Sequence, residues 1–356
     1  MHILVLPGDG IGPEITEPTL QVLRAAGQKH GVNFDFQIEP IGFATLKTQG
    51  TTLPDRILKL VPTFEGTILG PVQHFDYPSR EKGGINASGE LRTKFELFSN
   101  IRPCVSRPDL SILRNRMDTI IVRENTEGFY ADRNMYAGCG EFMSDPDSAF
   151  SIRKITTRAC TRVSRMAFQL AAGRRKKVTA IHKANVLRIS DGLFLRTVRK
   201  VAEEFPGIEL EELIVDAASA LLIRRPESFD VIVTTNMYGD ILSDEASELC
   251  GSLGLGGSLN VGEQVAVAQA QHGSAPDIAG KGVANPTSLI LSAAMLLKWR
   301  GDRDHDSALG RCAQDIDAAV NAVLSDPKTR TSDLGGNLGT AEFTQHVVAA
   351  LGMVTA

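Results

Sequence analysis

Acids and arginines carry most of the chemistry this sequence can do. Asp240 and Asp244, in Asn236-Met237-Tyr238-Gly239-Asp240-Ile241-Leu242-Ser243-Asp244, stand four residues apart, so on a helix they share one face. Two such carboxylates repel each other unless a cation sits between them, and oxygen donors suit Mg²⁺ or Mn²⁺. They follow the apolar run Val231–Thr234, at the carboxyl end of a strand, where α/β proteins place ligands. Asp216, just after Leu213–Val215, is a candidate third ligand. The competing reading makes Asp240 a helix cap and Asp244 a solvated acid. Arg92, Arg102 and Arg123 each read as surface residues when taken alone. Arg123, however, ends an apolar strand, and a set of guanidinium forks beside a divalent cation is what a di- or tricarboxylate requires. Tyr130 and Lys183 are the candidate proton carriers, because a lysine among cations has its pKa pulled down and can serve as a base.

A turn-rich loop, His272-Gly273-Ser274-Ala275-Pro276-Asp277-Ile278 through Asn285-Pro286, leads into a helix. Its small residues permit close backbone approach, and His272 and Asn285 can hydrogen-bond a base edge. Asp277 could accept both hydroxyls of a ribose and would repel a 2′-phosphate.

The elements that must position these residues alternate along the chain. Strands are expected at Ile3–Leu6, Thr119–Val122, Val178–Ile181, Leu213–Val215 and Val231–Thr234. Helices are expected at Thr157–Ala172, Asp191–Glu204 and Asp240–Cys250. Such alternation means an α/β protein with helices on both faces of the sheet. Two Gly/Pro-rich stretches, 70–89 and 251–262, read as long active-site loops. Arg174-Arg175-Lys176-Lys177 reads as a solvated connection.

The chain has 356 residues, enough for two or three domains, with 42% hydrophobic and 22% charged residues. This composition excludes disorder, collagen and coiled coil. Lys+Arg 38 against Asp+Glu 42 gives a net charge of −4, with nothing to attract nucleic acid or an acidic membrane surface. Five widely spaced cysteines (Cys104, Cys139, Cys160, Cys250 and Cys312) suit a reducing cytoplasm better than a disulfide framework or a zinc site. The longest apolar stretch, Leu289–Leu297, is half a membrane span. A soluble, cytoplasmic protein is expected.

Gly8-Asp9-Gly10-Ile11-Gly12-Pro13 suggests a dinucleotide fingerprint, with Glu39 as the ribose acid. The required spacing is G-x-G-x-x-G, and here proline holds the third glycine's place. The Rossmann reading is therefore set aside.

Taken together, the motifs resemble the isocitrate/isopropylmalate dehydrogenase family, the metal-dependent β-decarboxylating dehydrogenases of 3-substituted malates. The segments that carry the resemblance are Leu6–Ile15, Leu91–Pro103, Val122–Tyr130, His182–Phe194, Asn236–Ala246, His272–Pro286 and Asp333–Thr340. It implies a two-domain, non-Rossmann α/β fold, with residues 1–97 and 251–356 forming a large cofactor-binding domain. Residues 98–250 would form a small dimerisation and metal/substrate domain, and an inter-subunit β arm would lie near 131–155. It implies a homodimer with shared active sites, a hydroxy-di- or tricarboxylate substrate, and NAD with Mg²⁺ or Mn²⁺ as cofactors. Arg92, Arg102 and Arg123 would hold carboxylates, and Asp240 and Asp244 would ligate the metal with Asp216 from the other subunit. Tyr130, with Lys183 from the other subunit, would be the acid–base pair, assisted by Asp216. Residues 272–278 and Asn285 would bind the cofactor, and Asp277-Ile278 resembles the NAD users.

The sequence departs from that pattern in places. Gln269 stands where many relatives have glutamate, and the loop 70–78 lacks the usual glycine-rich form. The segment that would read the 3-substituent, Gly84–Glu90, presents Asn86 and Ser88, whereas isopropylmalate enzymes place leucines three and four residues before the first arginine. An isopropyl group would forgo roughly 0.8 kcal/mol per CH₂ left unburied. The expected substrate therefore has a polar 3-substituent, as in isocitrate or homoisocitrate. Isopropylmalate, tartrate and D-malate are the alternatives, and a catalytically silent regulatory subunit is the non-enzyme alternative.

Overall fold

A computed structural model describes residues 1–130 and 135–353. Twelve strands are found among them. β1 (His2–Leu6), β2 (Asp35–Ile38), β3 (Gly66–Leu69) and β4 (Ser99–Val105) come first, followed by β5 (Asp118–Glu124), β6 (Glu141–Asp145), β7 (Ser148–Ser151) and β8 (Lys177–His182). β9 (Glu209–Ile214), β10 (Val231–Thr234), β11 (Leu259–Val261) and β12 (Ala266–Gln269) complete the set. Between them run α1 (Gly12–His30), α2 (Phe43–Gln49), α3 (Asp55–Leu60), α4 (Ala87–Lys94), α5 (Thr157–Ala172) and α6 (Ser190–Ala202). α7 (Val215–Arg224), α8 (Asn236–Cys250), α9 (Thr287–Asp304), α10 (Ser307–Ser325) and α11 (Thr340–Met353) follow.

Ten strands form one mixed sheet in the order β2-β1-β3-β12-β11-β4-β5-β10-β8-β9. Its two flanks are parallel, and the centre, β12-β11-β4-β5, is antiparallel. Side-chain alternation explains the layering. Val178, Ala180, Val231 and Val233 pack under α5 and α6, whereas Ile181 and Ile232 face the opposite way under α7 and α8. The other flank does the same, with Ile3 and Val5 beneath α1, α9 and α10, and Leu4 and Leu6 against the α2–α4 side. Strands buried on both faces are apolar almost throughout, as β10 is.

Several boundaries differ from those expected. Val215 opens α7 rather than closing a strand, which puts Asp216 in a helical first turn. α8 begins at Asn236, so Asp240 sits in its second turn and is not a cap; Thr235 holds that position. The stretch 70–89 carries two short 3₁₀ turns, His74–Asp76 and Arg80–Lys82, before α4 begins, and 251–262 holds another turn and β11. Neither is a structureless loop. Arg174 is not simply solvated: its guanidinium donates to buried Asp230 at 2.8 Å and to Asp118 at 2.7 Å, pinning the turn before β8. Glu39 lies just past β2, where it meets Arg56 and Gln37 and so is committed to a local network.

β6 and β7 form a separate antiparallel hairpin. Its strands are almost wholly exposed, and Phe142 and Phe150 stack across it with ring centroids 5.1 Å apart. The expected arm near 131–155 covers this hairpin, and its residues 131–134 lie outside the described residues. No helix among the described residues is long and apolar enough to cross a membrane.

Candidate active site

β5, β10, β8 and β9 are mutually parallel, so their carboxyl ends share one edge of the sheet. Arg123 stands at that end of β5, α8 starts beyond β10, Lys183 follows β8, and Asp216 follows β9. The antiparallel β4 brings Arg102 alongside, its register partner being Ile121.

A cleft of about 410 Å³ opens there, between the sheet edge, α4 and the 269–273 segment. Asn86, Ser88, Arg92, Arg102, Arg123, Tyr130, Asp240, His272 and Gly273 all line it, so nine of the expected site residues converge. The arginines are organised by the acids. Arg102 donates to Asp244 Oδ1 at 2.8 Å, to Ser243 at 2.7 Å and to Asn100 at 2.6 Å, and approaches Asp240 Oδ1 at 3.5 Å. Arg123 forks onto Asn236 Oδ1 at 2.7 and 3.0 Å and also meets Asp240. Burial, reinforced by the neighbouring Arg102 cation, pushes the Arg123 pKa down to about 10. Two cations held this close in a buried wall favour an anion in front of them.

Asp240 and Asp244 are bridged by Arg102 and half-exposed. Among the described residues, each makes its side-chain contacts through Oδ1. That leaves Oδ2 of each on one helix face, a donor set that fits a divalent cation. No group of three His, Cys, Asp or Glu side chains able to hold a metal occurs among the described residues. Asp216 instead pairs with Lys183 at 2.5 Å, outside the cleft lining. By strand spacing Lys183 stands two strands, about 10 Å, along the edge from Arg123. Asp191, fully buried, accepts the Lys183 backbone N–H at 2.6 Å and meets Arg153, which fixes where that lysine starts.

The loop 272–286 reaches the cleft only through His272 and Gly273. His272 hydrogen-bonds the Gly273 carbonyl at 2.9 Å, and burial lowers its pKa, favouring the neutral ring. Ser274 is buried because its carbonyl accepts from Ile11 at 2.9 Å, and a Cβ on Gly10 would lie 2.0 Å from that oxygen. Ala275, Pro276, Asp277 and Ile278 follow as a turn with Asp277 exposed. Asn285 is committed to Asp333 at 3.0 Å and to the Thr287 N–H.

Several residues that build the site lay outside the sequence reading. Glu14 accepts from the backbone of Gly280 and Ala284 and from Thr340, tying the loop to α1. Burial opposes its charge, but these bonds outweigh it and lower its pKa. Asp9 is buried and accepts from Phe43 N, Gln73 N and Tyr77, so Gly8–Pro13 closes a loop junction and is no open phosphate cradle. Gln271 donates to Asp244 at 2.9 Å. Glu14, Asp9 and Asn236 sit inside quoted motifs, which was their only sequence signal. The departure at Gln269 has a structural counterpart: Ser88 donates to Gln269 Oε1 at 2.9 Å across the cleft floor. Asn86 is the N-cap of α4, accepting from Gly89 N, so it does not present a helical face beside Ser88.

A family model described as isocitrate/isopropylmalate dehydrogenase matches residues 2–347. The chain belongs to that family. It is 41% identical to an isocitrate/homoisocitrate dehydrogenase of Thermus thermophilus, over 98% of both chains. It is 40% identical to a 3-isopropylmalate dehydrogenase of Methanothermobacter thermautotrophicus, over 99% of this chain and 98% of the relative. A mitochondrial protein of Dictyostelium discoideum named as an isocitrate dehydrogenase [NAD] regulatory subunit is 39% identical, over 97% of this chain and 90% of its own length. Among solved structures, an isocitrate dehydrogenase from Methylococcus capsulatus superposes with a TM-score of 0.85 at 37% identity, covering 98% of this chain and 99% of that one. The family acts on small hydroxy-carboxylic acids and generally uses a divalent metal with a nicotinamide cofactor.

Proposed function

We propose that the protein catalyses NAD-dependent oxidative decarboxylation of a 3-substituted malate whose 3-substituent is polar, isocitrate or homoisocitrate by class. The observation that carries this reading is the convergence of Arg92, Arg102, Arg123, Tyr130 and Asp240 on one cleft, where the hydrogen-bonded Ser88–Gln269 pair stands in a lining that also includes Val72 and Phe75.

The arginines bind the malate carboxylates and hold the C2 hydroxyl toward Asp240 and Asp244. Asp240 and Asp244 would hold a divalent cation, which would supply positive charge beside the substrate hydroxyl, and the 272–285 loop would hold NAD, which would supply the hydride acceptor. Lys183, with Asp216 beside it, takes the C2 hydroxyl proton, and Tyr130 delivers a proton to C3 after CO₂ departs. Lys183 and Asp216 pair with each other outside the cleft of their own chain, which supports a site completed by a second copy. The exposed Phe142/Phe150 hairpin is the surface we assign to that homodimer. The division into residues 1–97 with 251–356, and 98–250, is supported by the sheet, whose two flanks meet where β11 pairs with β4. Exposed Asp277 favours NAD, since a second phosphate there would meet a carboxylate.

Isopropylmalate, tartrate and D-malate are the competing substrates, and the named regulatory relative favours a second reading, a non-catalytic subunit. One experiment separates them. The purified chain is assayed for NADH formation with Mn²⁺ or Mg²⁺ against isocitrate, homoisocitrate, isopropylmalate, tartrate and D-malate. A kcat/KM for a polar-substituted acid at least tenfold above that for isopropylmalate is expected. The reverse order overturns the substrate assignment, and no turnover of any acid favours the regulatory reading.

A further inference from the structure

The cleft shares β4 and α8 with a second cavity, of about 300 Å³. Cys104 and Ser247 form one wall, and Leu255, Leu291, Ala294 and Met295 form the facing one. The first wall belongs to the middle of the chain and the second to its C-terminal part, so the cavity lies where the two flanks of the fold abut. The wall of Leu255, Leu291, Ala294 and Met295 is apolar, and an apolar guest laid against it gains dispersion contacts that water does not supply. The charges in the lining are Arg107, Lys298 and Asp317, an excess of one cation. Arg107 is buried and hydrogen-bonded to Asn321. Lys298 also meets Asp302, but that pair is exposed on both sides and therefore weak.

A short relay joins this cavity to the cleft. Ser247, in the cavity wall, donates to Gln271 Oε1 at 3.2 Å. Gln271 lines the cleft and donates through Nε2 to Asp244 Oδ1 at 2.9 Å and to the Ser243 carbonyl at 3.2 Å. Gly256, also in the cavity wall, packs so closely that a Cβ there would lie 2.2 Å from Gln271 Oε1. A guest that shifts Ser247 or the 255–257 backbone must therefore move Gln271, and with it a hydrogen bond to Asp244.

We propose that this cavity is a binding site for a small apolar monocarboxylate, its chain between Leu255, Leu291 and Met295 and its carboxylate toward Arg107 and Lys298. Occupancy weakens divalent-metal binding at Asp244 through Ser247 and Gln271, a coupling between two distinct sites. The coupling rests on the metal assignment above, whereas binding in the cavity does not.

Octanoate is the probe. Trp299, the only tryptophan in the chain, lies one helical turn beyond Met295 and reports occupancy by fluorescence. The full-length protein should show a saturable change with octanoate and at least threefold weaker binding of 1-octanol. Ala294→Phe, which fills the cavity, should abolish it. Lys298→Glu, at an exposed position, should weaken it at least threefold and serves where Ala294→Phe does not fold. Saturating isocitrate should leave octanoate affinity within twofold. Absence of a saturable change, wild-type binding by folded Ala294→Phe, unchanged affinity in Lys298→Glu, or full competition by isocitrate would each overturn the site. Octanoate should raise the apparent Kd for Mn²⁺ at least threefold. An unchanged Mn²⁺ affinity overturns the coupling alone, and a protein that binds octanoate but no Mn²⁺ points instead to failure of the metal assignment.

Discussion

Arg123 illustrates how much a single side chain is asked to do. It is buried, forks onto Asn236, and touches Asp240, so its charge is set by geometry before any substrate arrives. Lysine at this position keeps a charge but loses the planar fork. Arg123→Lys is expected to lower kcat/KM by about 10²–10³-fold and to destabilise the fold by roughly 1–3 kcal/mol, because Asn236 Oδ1 is left under-satisfied. Steady-state kinetics with chemical denaturation checks both. Glu127 gives a pH signature. Burial, then the nearby Glu124 carboxylate, raises its pKa to about 7, against bonds from Thr156 that lower it. The unfolded chain loses this proton near pH 4.5 and the folded chain near 7, so the folded state binds more protons in that window and stability falls as pH rises through it. Glu127→Gln should flatten the decline between pH 5 and 7.5, by about 1–3 kcal/mol. A wild-type stability that is flat or rises over the same range would count against it.

At the scale of elements, the loop 272–286 is held by α1 more than by itself. Glu14 ties three of its neighbours together, and Ser274 seats on Gly10 and Ile11. Glu14→Ala should therefore raise the KM for NAD about tenfold while leaving the KM for the acid nearly unchanged; equal effects on both would contradict the assignment of the loop. This tie also shows where sequence reading runs out. β10 and α5 were legible to the residue, because Val231–Val233 is an unbroken β-branched apolar run and Thr157–Ala172 has a clean amphipathic period. The start of α8 was not legible: Asn236 looks like a loop residue, yet it opens the helix, and its side chain bonds Arg123 and the Glu127 carbonyl. Asn86 reads as a substrate contact by resemblance; it lines the cleft and also caps α4, a second use that the sequence reading did not include. The arginines and aspartates were found because their types are chemically loaded. Glu14 and Asp9, equally charged, serve backbone N–H groups far away in sequence, and no local pattern announces such partners.

For the whole molecule, the sheet brings the Lys183–Asp216 pair and the arginine-lined cleft to the same edge but keeps them apart within a chain. Lys183 pairs with Asp216 rather than with Tyr130 or Asp240. If a second copy supplies the missing pair, dimerisation and activity must fall together. Phe142 and Phe150 are half-exposed on the hairpin, which is a liability in a monomer and an asset at an interface. Phe142→Asp combined with Phe150→Asp should shift sedimentation toward monomer and reduce activity at least tenfold without loss of helical signal. A monomeric variant with full activity would refute shared sites.

The central claim is that Asp240 and Asp244 hold a divalent cation beside an arginine-bound hydroxy acid. Its most direct test is Mn²⁺ binding to the purified protein in the presence of isocitrate, read as free Mn²⁺ by electron paramagnetic resonance. The account predicts one Mn²⁺ per chain and at least tenfold weaker binding in Asp244→Asn. Undiminished Mn²⁺ binding in Asp244→Asn, with the fold intact, would contradict it.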